Sequence, residues 1–578
     1  MKRKLILSLE KKYKNVKNPY YLDYQYFYSN RNLDKSCFAN NLLTNIKKNK
    51  QCIKQANIIT RNIFLDLYPQ LNSIHGLKKS IRFWDIIIGP WIQAYILFYY
   101  REYRSVQYAL KKNVTKVMSS NYETYDFTSI DTTEAIGKFK DQMWLTMFRS
   151  RLVDQINRNI KKYKVNFTQK QKIEKSNLTL KFFIKLFISK FYNKFNFFNK
   201  KDNFFIYDSY LPIKDEFFLN IHLGQVMNFF SKLGLKLNIK KSESNKSIRD
   251  TLFKKKDEKK ILKALKASIK QDIPTIYLED FKIPVKLTES CNWPVKPKLI
   301  FTSNAFSGDE LFKFYLAQKV ENGSKYVVGQ HGNNYITHTS ADYTTEYRTS
   351  DFFLNWGKST KKKEIEFCNF IAKKIFFKKK NKNILIINKT IGSNAVPYEQ
   401  DYLRINYLIS IEKFIKNLSK FTKYNIYLKL HNSHVVRNPS EEKYFKKIKK
   451  INLVASKGTI YKSIKKTKPQ IIIFTYYSTG FLQLINSNTP CIFFDSGEME
   501  IDLKEKFKSI FKLMERYNLY FRDLKKLESF LYCNKIDFDK WWMSKDIYNL
   551  RKYISQNLSK PKSLNSMRRL SKIFQKLT

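Results

Sequence analysis

The chain has 578 residues, 43% hydrophobic and 16% aromatic, which excludes both a single hydrophobic core and a disordered chain. Its formal charge of +60 is mostly Lys, spread along the whole length beside abundant Asn, Ile, Phe and Tyr, as A/T-rich codons would produce. Arg, the better reader of bases and phosphates, is scarce, so no specific nucleic-acid partner is expected.

Six dispersed cysteines, with no Cys-x-x-Cys pair and no histidine at ligand spacing, fit a reduced cytoplasmic compartment and give no metal site. The N-terminal Met1 to Glu10 is too short in its apolar part for a signal peptide and reads as a first buried strand. Residues 59–112 carry apolar positions at helical spacing, and Gly89-Pro90 is expected to kink or split the helix. The apolar run Ile86 to Tyr100 reads as too short to span a bilayer.

Residues 160–260 form a basic insertion rich in Lys, Asn and Phe. Within it, Leu178 to Phe198 reads as a basic amphipathic helix in a membrane interface or as an aromatic-rich helix packed on the first domain. From Pro297 onward, short apolar strands alternate with helical patterns: Leu299 to Thr302, Lys325 to Val328, Phe352 to Asn355, Ile384 to Ile387, Asn425 to Leu430, Ile451 to Val454, Ile471 to Phe474 and Cys491 to Phe494. That alternation predicts an α/β protein with parallel sheets covered on both faces. The expected division is an N-terminal Rossmann-like domain over 1–357, a solvated helix and linker over 358–380, a second Rossmann-like domain over 381–545, and a basic helical tail over 546–578.

Open parallel sheets bind ligands beyond the carboxyl ends of their strands, so the residues just after each strand are the candidates. Gln330, His331, Gly332, Asn333 and Asn334 follow one strand, and Ser303 and Asn304 another. Glycines on both sides of His331 leave room for a ligand at its ring, although a turn whose His bonds a carbonyl has the same sequence. Lys429 and His431 lie two apart on one strand face, either toward phosphate or on a solvent-facing edge; His434 and Arg437 follow. Ser478, Thr479 and Gly480 open a helix expected to run to Ser487, as a phosphate-binding start or as ordinary capping. Ser307 and Glu310 have capping-box spacing with a Phe306–Leu311 staple, which leaves Asp309 and Lys313 free, with Glu310 as a candidate base if the cap is loose. One or both of Glu346 and Asp351 are expected to fix the loop that carries His331, or else to serve catalysis.

The blocks Leu67 to Ile92, Pro297 to Tyr335, Ser350 to Gly357 and Ser478 to Pro490 resemble a family of transferases encoded in bacterial O-antigen and other surface-polysaccharide loci. That family is similar to the two-Rossmann GT-B glycosyltransferases, including capsule enzymes that transfer Kdo or related ulosonic acids and carry a Gln-His-Gly loop. The resemblance implies transfer of a sugar from a nucleotide-sugar to a glycan or lipid-linked acceptor, with no cofactor and no metal, at the cytoplasmic face of the inner membrane. It implies that Lys429 and the Ser478-Thr479-Gly480 helix start hold the donor phosphates, with His331, Asn333 and Asn334 facing them from the other domain. Two positions depart from the family pattern: Gly332-Asn333 replaces a double glycine, and Gln483 replaces a Glu that would bond ribose. A nucleotide-sugar epimerase, or a non-catalytic binder of anionic lipid or nucleic acid, are the other readings.

Overall fold

The computed structural model describes residues 2–7, 16–22, 37, 46–164, 202–227, 241–254, 259–372, 376–377, 380–389, 404–421, 423–432, 440–495, 503–532 and 536–578. The stretch 178–198, His434 and Arg437 lie outside them.

The described strands form three parallel sheets. Strands β1 (Arg3–Ile6), β2 (Pro19–Tyr21), β3 (Val114–Ser119) and β4 (Lys161–Lys164) pair in the order β2-β1-β3-β4. Strands β5 (Phe204–Ile206), β6 (Leu299–Thr302), β7 (Lys325–Gly329), β8 (Phe352–Asn355) and β9 (Glu364–Glu366) pair in chain order. Strands β10 (Asn383–Ile387), β11 (Asn425–Lys429), β12 (Ile451–Val454), β13 (Ile471–Phe474), β14 (Cys491–Phe494) and β15 (Tyr520–Phe521) pair in the order β12-β11-β10-β13-β14-β15. The last order is that of a dinucleotide-type fold, with its reversal between β10 and β13. The architecture is α/β: the six-stranded sheet has the Rossmann order, whereas the five-stranded sheet runs in chain order and does not.

Strand alternation decides what each face meets. In β10 and β13, Ile384, Ile386, Ile471 and Ile473 join one core with helix Arg404–Phe421, while Leu385, Ile387, Ile472 and Phe474 join another with helices Ile460–Thr467 and Lys545–Leu558. The five-stranded sheet has no order reversal, so right-handed crossovers favour one face for its helices. Ile300, Tyr326, Val328 and Phe353 meet helix Glu310–Glu321 there. The other face is covered by helix Ile213–His222 and by the last helix of the chain, Ser566–Leu577, whose Leu570 and Phe574 pack on Phe301 and Leu354.

Several expectations are corrected. The helix Ile81–Leu110 is not split: it continues through Pro90. A mid-helix proline costs about 3 kcal/mol, but burial of Trp84, Trp91, Tyr95 and Tyr99 contributes roughly 1.5–3 kcal/mol each and outweighs it. Long and apolar enough to cross a membrane, this helix instead has 83% of its most apolar window inside the protein. The described part of 358–380 is not a solvated helix: it supplies β9, and Phe367, Cys368, Phe370 and Ala372 are buried. The insertion 160–260 supplies β4 and β5, integral strands of two sheets. Finally, the predicted first strand does form, as β1, but it belongs to a sheet the sequence reading lacked, whose Leu5 joins the core of the first half and whose Ile6 joins that of the second.

Candidate active site

The reversal between β10 and β13 opens a crevice, and the chain fills its rim with polar residues. A cavity of about 460 Å³ is lined there by Asn388 after β10, Lys429 and His431 at the end of β11, Thr459 after β12, and Tyr476, Ser478, Gly480 and Gln483 after β13. Gly458, at φ 108°, turns the chain in the left-handed region that only glycine takes readily. Across the cavity, Tyr210, Pro212 and Ile371 belong to the half built on the five-stranded sheet, so the crevice is shared by the two halves.

Lys429 is buried, and its ammonium donates to the carbonyls of Ser456 at 2.5 Å and Ala455 at 3.2 Å. Among the described residues no carboxylate pairs with it, and burial lowers its pKa. Its third hydrogen bond goes to Asn432 Oδ1 at 3.4 Å, and the side chain lines the cavity. Ser478 Oγ caps the helix Thr479–Leu484, accepting from Phe481 N at 3.2 Å; this helix is shorter than the expected run to Ser487.

His331 stands on the loop after β7. Its Nδ1 is buried with no partner among the described residues, the Ser303 backbone accepts from its ring, and burial lowers its pKa to about 4, opposed by the charge of Asp208. The imidazole is therefore neutral at ordinary pH. Phe306 at 5.7 Å, Tyr335 at 5.1 Å and Tyr210 at 6.4 Å surround the ring, and Tyr210 carries the contact to the cavity.

Several devices hold this loop. Gln330 is fully buried, donating to the Gly332 carbonyl at 2.7 Å and accepting from Trp356 N at 2.8 Å. Tyr335 donates to Glu346 at 2.5 Å, so of the two flanking carboxylates Glu346 is the one that holds this loop. Asp351 does something else: it accepts from Tyr326 N at 2.8 Å and Arg82 at 2.9 Å. Asn333 reaches across the crevice, donating to the Tyr477 carbonyl at 2.9 Å and accepting from Thr479 Oγ1 at 3.4 Å.

Lys429, His431, Ser478, Gly480 and Gln483 thus share one cavity, with Thr479 and Asn333 joined at its edge and His331 behind Tyr210. Asn304 and Asn334 are half-buried beside the His331 loop without lining the cavity. Ser303 is fully buried and donates to the Ser209 carbonyl at 2.8 Å. Gln330 braces the loop, as above. Glu310 departs furthest from expectation. It lies in a sealed network, accepting from Thr132 N at 3.1 Å and Tyr277 at 2.9 Å and pairing with Lys313 at 2.9 Å, so neither Glu310 nor Lys313 is free. The cap of that helix is Asp309, not Ser307, and Asp309 also accepts from Tyr207 at 2.7 Å.

The two glycines beside His331 differ. A Cβ on Gly329 would lie 2.4 Å from Ser303 Oγ and 2.8 Å from Phe370, so close packing demands that glycine. A Cβ on Gly332 would meet only Tyr335 at 3.9 Å, so this one does leave space.

A family model described as LIC12162 family transferase matches residues 8–564. The chain belongs to this transferase family. No curated protein matches it significantly. Solved structures to which it is similar include Acinetobacter baumannii MurG, at 10% identity and TM-score 0.29 over 51% of this chain and 80% of that one. The S. aureus MnaA–UDP co-structure gives 12% and 0.33 over 65% and 98%. The Methanocaldococcus jannaschii UDP-GlcNAc 2-epimerase in complex with UDP-GlcNAc and UDP gives 12% and 0.31 over 51% and 79%.

Sequence reasoning missed the loop after β5. Asp208 and Tyr210 both take left-handed backbone conformations, at φ 50° and 64°, which cost energy in non-glycine residues and bring the Asp208 charge and the Tyr210 ring to His331. The signal was present in "FFIYDSYLP", an apolar run closed by a turn, inside a segment read as an insertion. His338 was missed too. It is buried, bonds Thr337 Oγ1 at 2.8 Å, and bridges to Leu503 of the other half.

Proposed function

We propose that the chain is a glycosyltransferase that passes a sugar from a nucleotide-activated donor to a surface-glycan or lipid-linked acceptor. The single observation that carries this reading is Lys429, buried in a cavity at the sheet's reversal point with no carboxylate partner among the described residues. A nucleoside diphosphate supplies the negative charge that this ammonium lacks, and preorganised charge of this kind stabilises a leaving group most where water is excluded.

In the reaction, the acceptor hydroxyl oxygen bonds to the anomeric carbon while the bond from that carbon to the phosphate oxygen breaks. The electron pair leaves on the nucleoside diphosphate, beside Lys429 and the Thr479–Leu484 helix start. The hydroxyl proton leaves to a base on the acceptor side, for which His331, beside Tyr210 at the cavity wall, is the candidate. Asn333 aligns the two sides. The site works without a metal, so chelators leave the rate unchanged. The enzyme acts in the cytoplasm, at the inner face of the membrane that carries lipid-linked acceptors.

Mass-spectrometric product analysis of nucleotide-sugars incubated with the protein tests this. Transfer releases free nucleotide and needs an acceptor; return of an isomerised nucleotide-sugar without any acceptor would mean an epimerase instead.

A further inference from the structure

The loop after β5 is anchored on both sides. Tyr207 donates to Asp309 at 2.7 Å, Ser303 N donates to the Asp208 carbonyl at 3.0 Å, and Ser303 Oγ donates to the Ser209 carbonyl at 2.8 Å. Ser209 Oγ bonds Glu216 and accepts from Leu211 N at 3.2 Å. Between these anchors Asp208 and Tyr210 sit at φ 50° and 64°, a left-handed conformation that is uncommon for an aromatic residue and persists only where the surroundings over-determine it.

What the strain places is the Tyr210 ring. It lines the crevice with Lys429, and its centre lies 6.4 Å from that of the His331 ring, edge-on at 73°. Pro212 and Ile371 extend the same wall. Packing explains part of this: Tyr210 is half-buried and rests on the core that the last helix covers. It does not explain why a strained tyrosine is kept where the other side of the ring meets the cavity. Burial raises the pKa of Tyr210, so its hydroxyl stays protonated and able to donate. A flat apolar face with a hydroxyl at its edge matches a sugar ring, which is apolar on its C–H face and polar around its rim.

We propose that Tyr210 is the specificity-determining platform for the transferred sugar, with its ring against the C–H face and its hydroxyl on a sugar hydroxyl. Given the transfer proposed above, on which this rests, the anomeric carbon lies between the leaving phosphate at Lys429 and the base at His331. Of the three rings around His331, Tyr210 is the one that lines the crevice, so the sugar meets it there. The nucleotide lies against the six-stranded sheet and does not depend on this ring.

Calorimetric titration of the full-length parent and of Tyr210→Gly tests the platform. The probes are CMP, UDP, GDP and dTDP beside CMP-N-acetylneuraminate, UDP-N-acetylglucosamine, GDP-mannose and dTDP-glucose. Glycine takes the left-handed conformation without strain, so Tyr210→Gly is expected to fold, which its melt without ligand reads. Tyr210→Leu keeps apolar volume without a ring and repeats the comparison if the glycine variant melts early. For the nucleotide that the parent binds, either variant is expected to stay within about twofold of the parent, while the nucleotide-sugar binds about tenfold or more weakly. Tyr210→Phe keeps most of the sugar's contribution. Equal changes for nucleotide and nucleotide-sugar, or none for either, would overturn the platform and leave the Lys429 site standing. Failure of the parent to bind any of the nucleotides would overturn the Lys429 site, and the platform with it.

Discussion

Asn333 Nδ2 donates to the Tyr477 carbonyl at 2.9 Å, which ties the loop carrying His331 to the helix start that follows β13. One hydrogen bond between the halves contributes only about 0.5–1.5 kcal/mol to stability. Asn333→Ala is therefore expected to melt within a few degrees of the parent while turnover falls by an order of magnitude or more. Steady-state kinetics beside calorimetry checks it.

Lys429 separates a structural from a functional role. Lys429→Met keeps the volume and removes a desolvated charge, so the melting temperature is expected to hold or rise, since unpaired buried cations cost stability. Nucleotide binding should disappear. A melting temperature that collapses would mean that the bonds to Ala455 and Ser456 are the residue's purpose.

The glycines beside His331 make a matched pair. Gly329→Ala forces a Cβ into Ser303 and Phe370 and is expected to destabilise by about 1–3 kcal/mol. Gly332→Ala meets nothing closer than 3.9 Å and should leave stability nearly unchanged, so any loss of activity there reports space needed by substrate. Thermal melts of both variants, with rates, check this contrast.

Acid sensitivity follows from His331. Its folded pKa of about 4 lies below the ordinary 6.5, so between these values the unfolded chain takes up a proton that the folded one refuses. Stability therefore falls as pH drops from 6.5 toward 4, and is fully kept above 6.5. His331→Gln should flatten that part of the pH–stability curve, which denaturant titrations at stepped pH would reveal.

Much of this architecture was legible from period and punctuation. The eight strands from Leu299 to Phe494 are short apolar runs closed by polar turns, and all of them form. What resisted reading depends on distant partners. Pro90 breaks isolated helices but survives where Trp91 and Tyr95 are buried. Glu310 fits a capping box locally, yet Thr132 and Tyr277, more than thirty residues away, claim its carboxylate. Nothing local shows that Gly357 must lack a side chain because the Asn557 carbonyl would sit 2.0 Å from its Cβ, or that the chain's final helix returns to cover the five-stranded sheet. At the site, strand ends pointed to Lys429, His431 and Ser478, whereas Asp208 and Tyr210 were hidden by the basic composition around them.

The central claim is that the crevice at the β10–β13 reversal holds a nucleoside phosphate on Lys429. Thermal melting of the parent protein and Lys429→Met against CMP, UDP, GDP and dTDP tests it most directly, because a ligand that binds the folded state raises its melting temperature. The account predicts that one of these nucleotides raises the melting temperature of the parent by several degrees and leaves Lys429→Met unmoved. No shift with any of them, or an equal shift in both proteins, would contradict it.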